Sequence, residues 1–137
     1  MQGKHFCTMF GLQNQNHMDL HCTHKYFGEL EPHLVMRVID LLDGWFAKRP
    51  YRTIQIPFDQ EDWFGPGQVI RVLRCDPRFN QQLLPDLKHV LDRFHEDTYG
   101  KYKPHITTDR LNRINIPFDR YLFVVDGKII RTYHDDR

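Results

Sequence analysis

Two stretches, HCTHKYFGE (residues 21–29) and PHITT (104–108), carry the same pair: His21 with Thr23, and His105 with Thr107. Alternate side chains on a β-strand share a face, so each pair lies together and the residue between them turns away. If the two strands are neighbours or symmetry mates in one sheet, two imidazoles and two hydroxyls converge on one cleft. Such a set suits a phosphodiester. In-line cleavage takes a base to deprotonate the attacking oxygen and an acid on the far side to protonate the leaving oxygen, and imidazole near neutrality serves as either. Threonine hydroxyls donate to non-bridging phosphate oxygens, holding phosphorus between the histidines and stabilising charge that grows in the transition state. This chemistry calls for no metal and no other cofactor.

The elements around these pairs can be read from periodicity. Residues 4–10 and 18–27 read as strands separated by the polar loop LQNQNH. In EPHLVMRVIDLLDGWFAKRP, Leu34, Val35, Val38, Ile39, Leu42, Trp45 and Phe46 recur at helical spacing, with Pro32 in the first turn and Pro50 beyond the end. YRTIQIPF (51–58) alternates like a strand, QEDWFGPG then reads as a loop, and a further strand is expected over 68–75. NQQLLPDLKHVLDRFHEDTYG places Leu83, Leu87, Val90, Leu91 and Phe94 on one helical face, with Gly100 as terminator. KPHITTDR, RINIPF, RYLFVV and KIIRTYH are expected strands, with Asp126-Gly127 as a type I′ turn between the last two. Element order thus suggests a weak internal duplication, one His-x-Thr in each set.

HCTHKYFGE and PHITT resemble the paired motifs of the two-histidine (2H) phosphoesterases, the LigT-like group. In that family the first motif runs His-x-Thr, one residue, Lys, an aromatic, an apolar residue and Gly; here these are His21, Thr23, Lys25, Tyr26, Phe27 and Gly28, with His24 where the family often has an apolar residue. The second is matched by Pro104, His105, Ile106, Thr107 and Thr108. Covering nearly the whole chain, the resemblance implies an α+β fold, bilobal and pseudo-twofold, with two antiparallel sheets forming a central cleft and helices outside. The expected layout is a single domain over 1–137 with lobes of roughly 1–64 and 65–137. Implied too is a metal-independent phosphodiesterase acting on 2′,3′-cyclic phosphates, 2′,5′ linkages, RNA ends or cyclic oligonucleotides. His21 and His105 would be its catalytic residues, and Thr23 and Thr107 would bind the substrate phosphate. Some phages carry small members that destroy the cyclic oligonucleotide signals of bacterial defence, and the length here is compatible with that role. A different class of reading is a module that captures RNA ends or cyclic nucleotides without turnover; intact copies of both His-Thr pairs argue against it.

Several residues near the motifs admit two readings. Lys25 shares the expected face of His21 and Thr23, where it either lends positive charge to the cleft or pairs with an acidic neighbour such as Glu29. Trp63 and Phe64 either stack on a base or pack over the core edge. Tyr102 and Lys103, just ahead of the second motif, either meet substrate or mark a solvent-facing strand entry. A metal site at His17, His21 and His24 is opposed by strand geometry, which sends His21 and His24 to opposite faces. The GPG at 65–67 lacks the Lys and Ser or Thr of a P-loop and reads as a turn.

Composition sets the outer bounds. A chain of 137 residues fits one domain with a core of its own. No apolar run reaches the roughly 18 residues of a membrane span, and no leader pattern opens the chain, so no membrane partner and a cytoplasmic setting, the host's if the source is viral, are expected. Nineteen Lys and Arg against eighteen Asp and Glu give a net charge of +1, too balanced for gripping long duplex DNA but compatible with a nucleotide, a cyclic oligonucleotide or an RNA end. Cys7, Cys22 and Cys75 are odd in number and far apart, which suits reduced thiols. A monomer is the default.

Overall fold

The computed structural model describes residues 3–95, 102–108 and 113–136. Among these, the chain runs β1 (Phe6–Gly11), β2 (Cys22–Gly28), α1 (Pro32–Lys48), β3 (Ile54–Phe64), β4 (Ile70–Cys75), α2 (Pro85–Asp92), β5 (His105–Thr107), β6 (Ile114–Phe118), β7 (Arg120–Val125) and β8 (Lys128–His134), with 3₁₀ turns at Pro66–Gln68 and Pro77–Gln82. The strands form two four-stranded antiparallel sheets, ordered β2-β1-β7-β8 and β5-β4-β3-β6. The fold is α+β, two lobes with a cleft between them. No helix among the described residues is long and apolar enough to cross a membrane.

Each histidine-threonine strand is the edge of its own sheet, beside the strand that precedes it in the chain: β2 beside β1, and β5 beside β4. These two edges approach each other across the gap between the sheets. The lobes are not halves of the chain divided near residue 64. A tight turn around Gly65 and Gly67, both at positive φ, returns β3 onto β4, while β7 pairs along the whole of β1. Nor do the two sets repeat one order of elements, since α1 follows its motif strand and α2 precedes its own.

Helix α1 buries Val38, Ile39, Leu42 and Phe46, the stripe its spacing predicts, and α2 buries Leu87 and Leu91. Both stripes join the main core, with Phe6, Phe10, Tyr121 and Phe123 from the first sheet and Ile56, Phe58, Leu73 and Ile106 from the second. The other face of the first sheet carries a small separate cluster of Met9, Leu122 and Val124. Asp126 (φ 47°) and Gly127 (φ 82°) both take positive φ between β7 and β8, as a type I′ turn requires. The three cysteines are free.

Three boundaries differ from expectation. The first motif strand starts at Cys22 rather than residue 18. Residues 60–64, expected in a loop, complete β3, because each from Gln60 to Phe64 finds a partner on β4. The helix expected through residues 80–100 is preceded by the 3₁₀ turn, with Leu84 left-handed (φ 51°) at the joint, and its described part ends at Asp92; Gly100 lies outside the described residues.

Candidate active site

A polar turn positions the first histidine. The Asn16 side chain accepts from Met18 N–H at 2.8 Å, and the Asn16 carbonyl accepts from the amides of Asp19 and Leu20, so residues 18–20 turn instead of extending. That turn sets the His17 carbonyl 2.7 Å from His21 Nδ1. A carbonyl only accepts, so Nδ1 carries the proton and donates, and Nε2 remains for exchange with a substrate.

Beyond Cys22 the strand alternation is broken. Met9 lies opposite Thr23 and Thr8 opposite Lys25, which leaves His24 as the extra residue of a β-bulge. Thr23 therefore shares its face with Met9, but Lys25 shares the opposite face with Thr8. Lys25 is 1% exposed, and its Nζ donates to Asp92 Oδ1 (2.6 Å) and to the His95 carbonyl (2.7 Å). Of the two readings of Lys25, the ion pair is the one formed, and its acidic partner is Asp92 of α2 rather than Glu29. Tyr26, opposite Cys7, takes the place on the Thr23 face that unbroken alternation assigns to Lys25.

His24 is buried where the resemblance calls for an apolar residue. Its Nε2 faces the Leu84 carbonyl at 3.2 Å and must donate, so Nδ1 accepts from Tyr121 Oη at 2.6 Å. Thr8 links the same network, since its Oγ1 accepts from Lys25 N–H and lies against the Tyr121 hydroxyl. Desolvation drives the His24 pKa down to about 3, so the ring stays neutral. His17 Nε2 bonds the Gly127 carbonyl instead of turning toward His24. Among the described residues no three His, Cys, Asp or Glu side chains are grouped to share an ion.

On the second strand, His105, Ile106 and Thr107 lie opposite Arg74, Leu73 and Val72. Ile106 is fully buried beside Leu73, whereas the half-buried His105 and exposed Thr107 share the other face. His105 Nδ1 donates to the Lys103 carbonyl at 2.8 Å, so this ring too presents Nε2. Because β3 continues to Phe64, that residue falls on the His105 face and its ring meets the imidazole edge-on at 4.4 Å between centroids. Trp63 pairs with Arg71 on the opposite face and is not brought to the site. The Tyr102 hydroxyl is committed, donating 2.6 Å to the Thr23 carbonyl, while the Lys103 side chain is exposed and its charge acts on Asp62.

The two motifs meet. The buried Cys22 thiol lies against the His105 backbone amide and the Tyr102 side chain, and desolvation pushes its pKa up to about 12. Burial holds both candidate imidazoles below the usual histidine range. For His21 the bond to His17 opposes that shift while the charges of His17 and His105 add to it. For His105 the bond to Lys103 opposes it, Arg74 lowers the pKa further, and Asp62 pulls it back. The Thr23 and Thr107 hydroxyls have no hydrogen-bond partner among the described residues, which leaves both donors for a ligand. Grooves of about 420 and 600 Å³ lie elsewhere, at Trp45 and Pro85 and at Leu12 and Pro117, and no residue of the tetrad lines them.

Arg74 and Asp62, which form a salt bridge at 3.2 Å beside His105, were not singled out by sequence. Alternation along GQVIRVLRC could have put Arg74 on a strand face, but only the pairing of β4 with β5 places it opposite His105.

Two edge strands, each carrying a histidine-threonine pair at or beside it, thus approach each other from two antiparallel sheets. The structure is similar to that of TT0787 of Thermus thermophilus, with a TM-score of 0.61 and 12% identity over 95% of this chain and 97% of that one. At that identity the likeness shows the fold alone. No family model and no curated protein matches the chain.

Proposed function

We propose that the protein is a 2H phosphodiesterase that hydrolyses nucleotide or RNA phosphodiesters involving a ribose 2′ oxygen, by general acid-base catalysis between His21 and His105. The observation that carries this is the matched setting of the two rings. Each Nδ1 donates to a backbone carbonyl, of His17 and of Lys103, and each Nε2 is left to move a proton. In the forward direction one Nε2 takes a proton from water as its oxygen attacks phosphorus, and the other gives a proton to the departing ribose oxygen as the P–O bond breaks. Thr23 and Thr107 donate to the non-bridging oxygens. Both rings are biased toward the neutral form by burial, and the negative charge of a bound phosphate favours protonation of one of them, which supplies the acid. Which ring is base depends on the direction in which substrate lies.

The test is turnover of a 2′,3′-cyclic nucleotide and a panel of cyclic di- and trinucleotides by purified protein, with and without EDTA, followed by product analysis. Hydrolysis that is unchanged by chelator and lost in His21→Ala and His105→Ala is expected. Chelator-sensitive activity that survives His21→Ala would sink the two-histidine mechanism. Activity on cyclic oligonucleotides alone would assign the substrate to immune messengers of the kind phage enzymes degrade, and tight binding without turnover would leave a capture module.

A further inference from the structure

We propose that Arg74 is a phosphate-binding residue of this site, held by Asp62 until an anionic ligand takes that carboxylate's place. The placement rests on the two-histidine reading, which puts a phosphate between His21 and His105. Arg74 lies directly opposite His105 on the neighbouring strand, and the register puts both on the face that also carries Thr107 and Phe64. Side chains so paired start about 5 Å apart at Cβ, well within the reach of a guanidinium to an oxygen beside the imidazole.

The guanidinium is only partly used. It contacts Asp62 through one nitrogen, Nη1 to Oδ2 at 3.2 Å, and Arg74 and Asp62 remain 29% and 33% exposed. Its Nε is shielded from solvent and has no acceptor among the described residues. An arginine beside a phosphate offers two parallel donors, Nε–H among them, so a swing from Asp62 to phosphate gives that nitrogen the acceptor it lacks. Asp62 would not be stranded by the exchange. Its Oδ1 accepts from Trp63 N–H at 2.8 Å, and the charge of Lys103 acts on it as well. Lys25 and Lys88, the nearby lysines of β2 and α2, are both engaged with Asp92. Arg74 acts on His105 and, together with Lys103, on Asp62, which places both cations on the His105 side of the cleft.

The groups that act on His105 are Arg74 from β4, Asp62 from β3, His21 ahead of β2 and the carbonyl of Lys103 in its own segment. Arg74 and Asp62 bias its protonation in opposite directions, so the same two variants that test phosphate binding should also move its titration in opposite senses.

The experiment is titration of the full-length protein with inorganic phosphate at constant ionic strength, read by NMR of the imidazole signals. Circular dichroism checks the fold of each variant. Arg74→Ala should weaken phosphate about tenfold or more, the factor that corresponds to roughly 1.4 kcal/mol, and Arg74→Lys should weaken it less. Asp62→Asn, which frees the guanidinium, should tighten phosphate and lower the His105 pKa, whereas Arg74→Ala should raise that pKa. If Arg74→Ala fails to fold, Arg74→Lys and Asp62→Asn still decide by the opposite signs of their effects. A purely structural salt bridge predicts that both partners' variants weaken binding alike, and that result overturns the proposal. So does a wild-type protein that binds no phosphate, or an affinity unmoved by Arg74→Ala. Phosphate binding that depends on Arg74 in a protein without turnover on any diester keeps this inference and removes the catalytic one. Turnover that needs both histidines but ignores Arg74 does the reverse.

Discussion

The hydroxyl of Tyr102, just ahead of the second motif, donates a 2.6 Å hydrogen bond to the backbone carbonyl of Thr23 in the first. Because β2 is an edge strand, a carbonyl on its outer side has no ladder partner, and Tyr102 supplies one from the other lobe. Burial raises the phenol's pKa well above its usual value, so it stays a donor. Tyr102→Phe should lower stability by about 1–2 kcal/mol, the cost of leaving a buried acceptor unpaired, and should reduce turnover by loosening the spacing of the two motifs. Urea unfolding and steady-state kinetics on the same preparation check both. An unchanged urea midpoint would mean the bond adds nothing to the joint between the lobes.

Within the proposed mechanism, His21→Ala and His105→Ala should each reduce kcat by about a hundredfold or more, the lower end of a general acid or base contribution. Neither ring is fully buried, and the fold should survive both changes. Thr23→Val and Thr107→Val should cost less, because the proton-transfer groups remain. Full activity in both valine variants would show that the hydroxyls do not hold the phosphate.

The pH profile should be displaced to the acid side. One imidazole must be neutral and the other protonated, so kcat/KM should rise through one apparent pKa and fall through a second, both belonging to the coupled pair. Burial lowers both rings, and kcat/KM reports the free enzyme, so the optimum is expected below about pH 6.5, the ordinary histidine value. A bell centred above neutrality would contradict the desolvated setting.

His24 predicts a stability profile instead. Its folded pKa of about 3 lies below the unfolded value, so the unfolded chain binds more protons in between. The contribution is complete above about pH 6.5 and is lost as pH falls toward 3, at up to about 1.4 kcal/mol per pH unit for one proton. Comparing unfolding free energies at pH 4.5 and 6.5 should give a shallower difference in His24→Asn than in wild type, whatever that variant's absolute stability. Equal slopes would place the acid sensitivity elsewhere.

Lys25 and Asp92 should matter to the fold rather than to substrate. Asp92→Asn leaves a buried ammonium without its carboxylate and should cost about 3–5 kcal/mol, whereas Lys25→Met leaves Asp92 paired with Lys88 and should cost less. KM should change little in Lys25→Met. Denaturation midpoints and KM for both variants test the ranking, and a large KM increase in Lys25→Met would return that lysine to the cleft.

The two His-x-Thr pairs stood out because their signal is local: two residues two apart, at or beside a strand. Periodicity also located the buried stripes of α1 and α2. What escaped depends on partners distant in the chain. The bulge at His24 exists only in the pairing of β2 with β1, and it alone decides that Lys25 faces the core. Asp92 could not be singled out over Glu29 without knowing that α2 packs by β2. Residues 60–64 looked like a loop because their polar, acidic character matches a solvent-facing strand as well as a turn, and β4 resolves the ambiguity. Arg74 stayed hidden because its place opposite His105 is a property of strand register.

The interleaving of the two sheets bears on how the molecule is made. During vectorial synthesis β1 emerges first, and β2 can zip onto one of its edges almost at once. Its other neighbour, β7, begins only at Arg120, when most of the chain has been translated. The nascent first sheet must keep an apolar strand with an open edge through that interval, while β3 and β4 can already fold back on each other through the Gly65–Gly67 turn. The lobe whose motif is written first should therefore be completed last, and the cleft between the lobes should close only with the final strands.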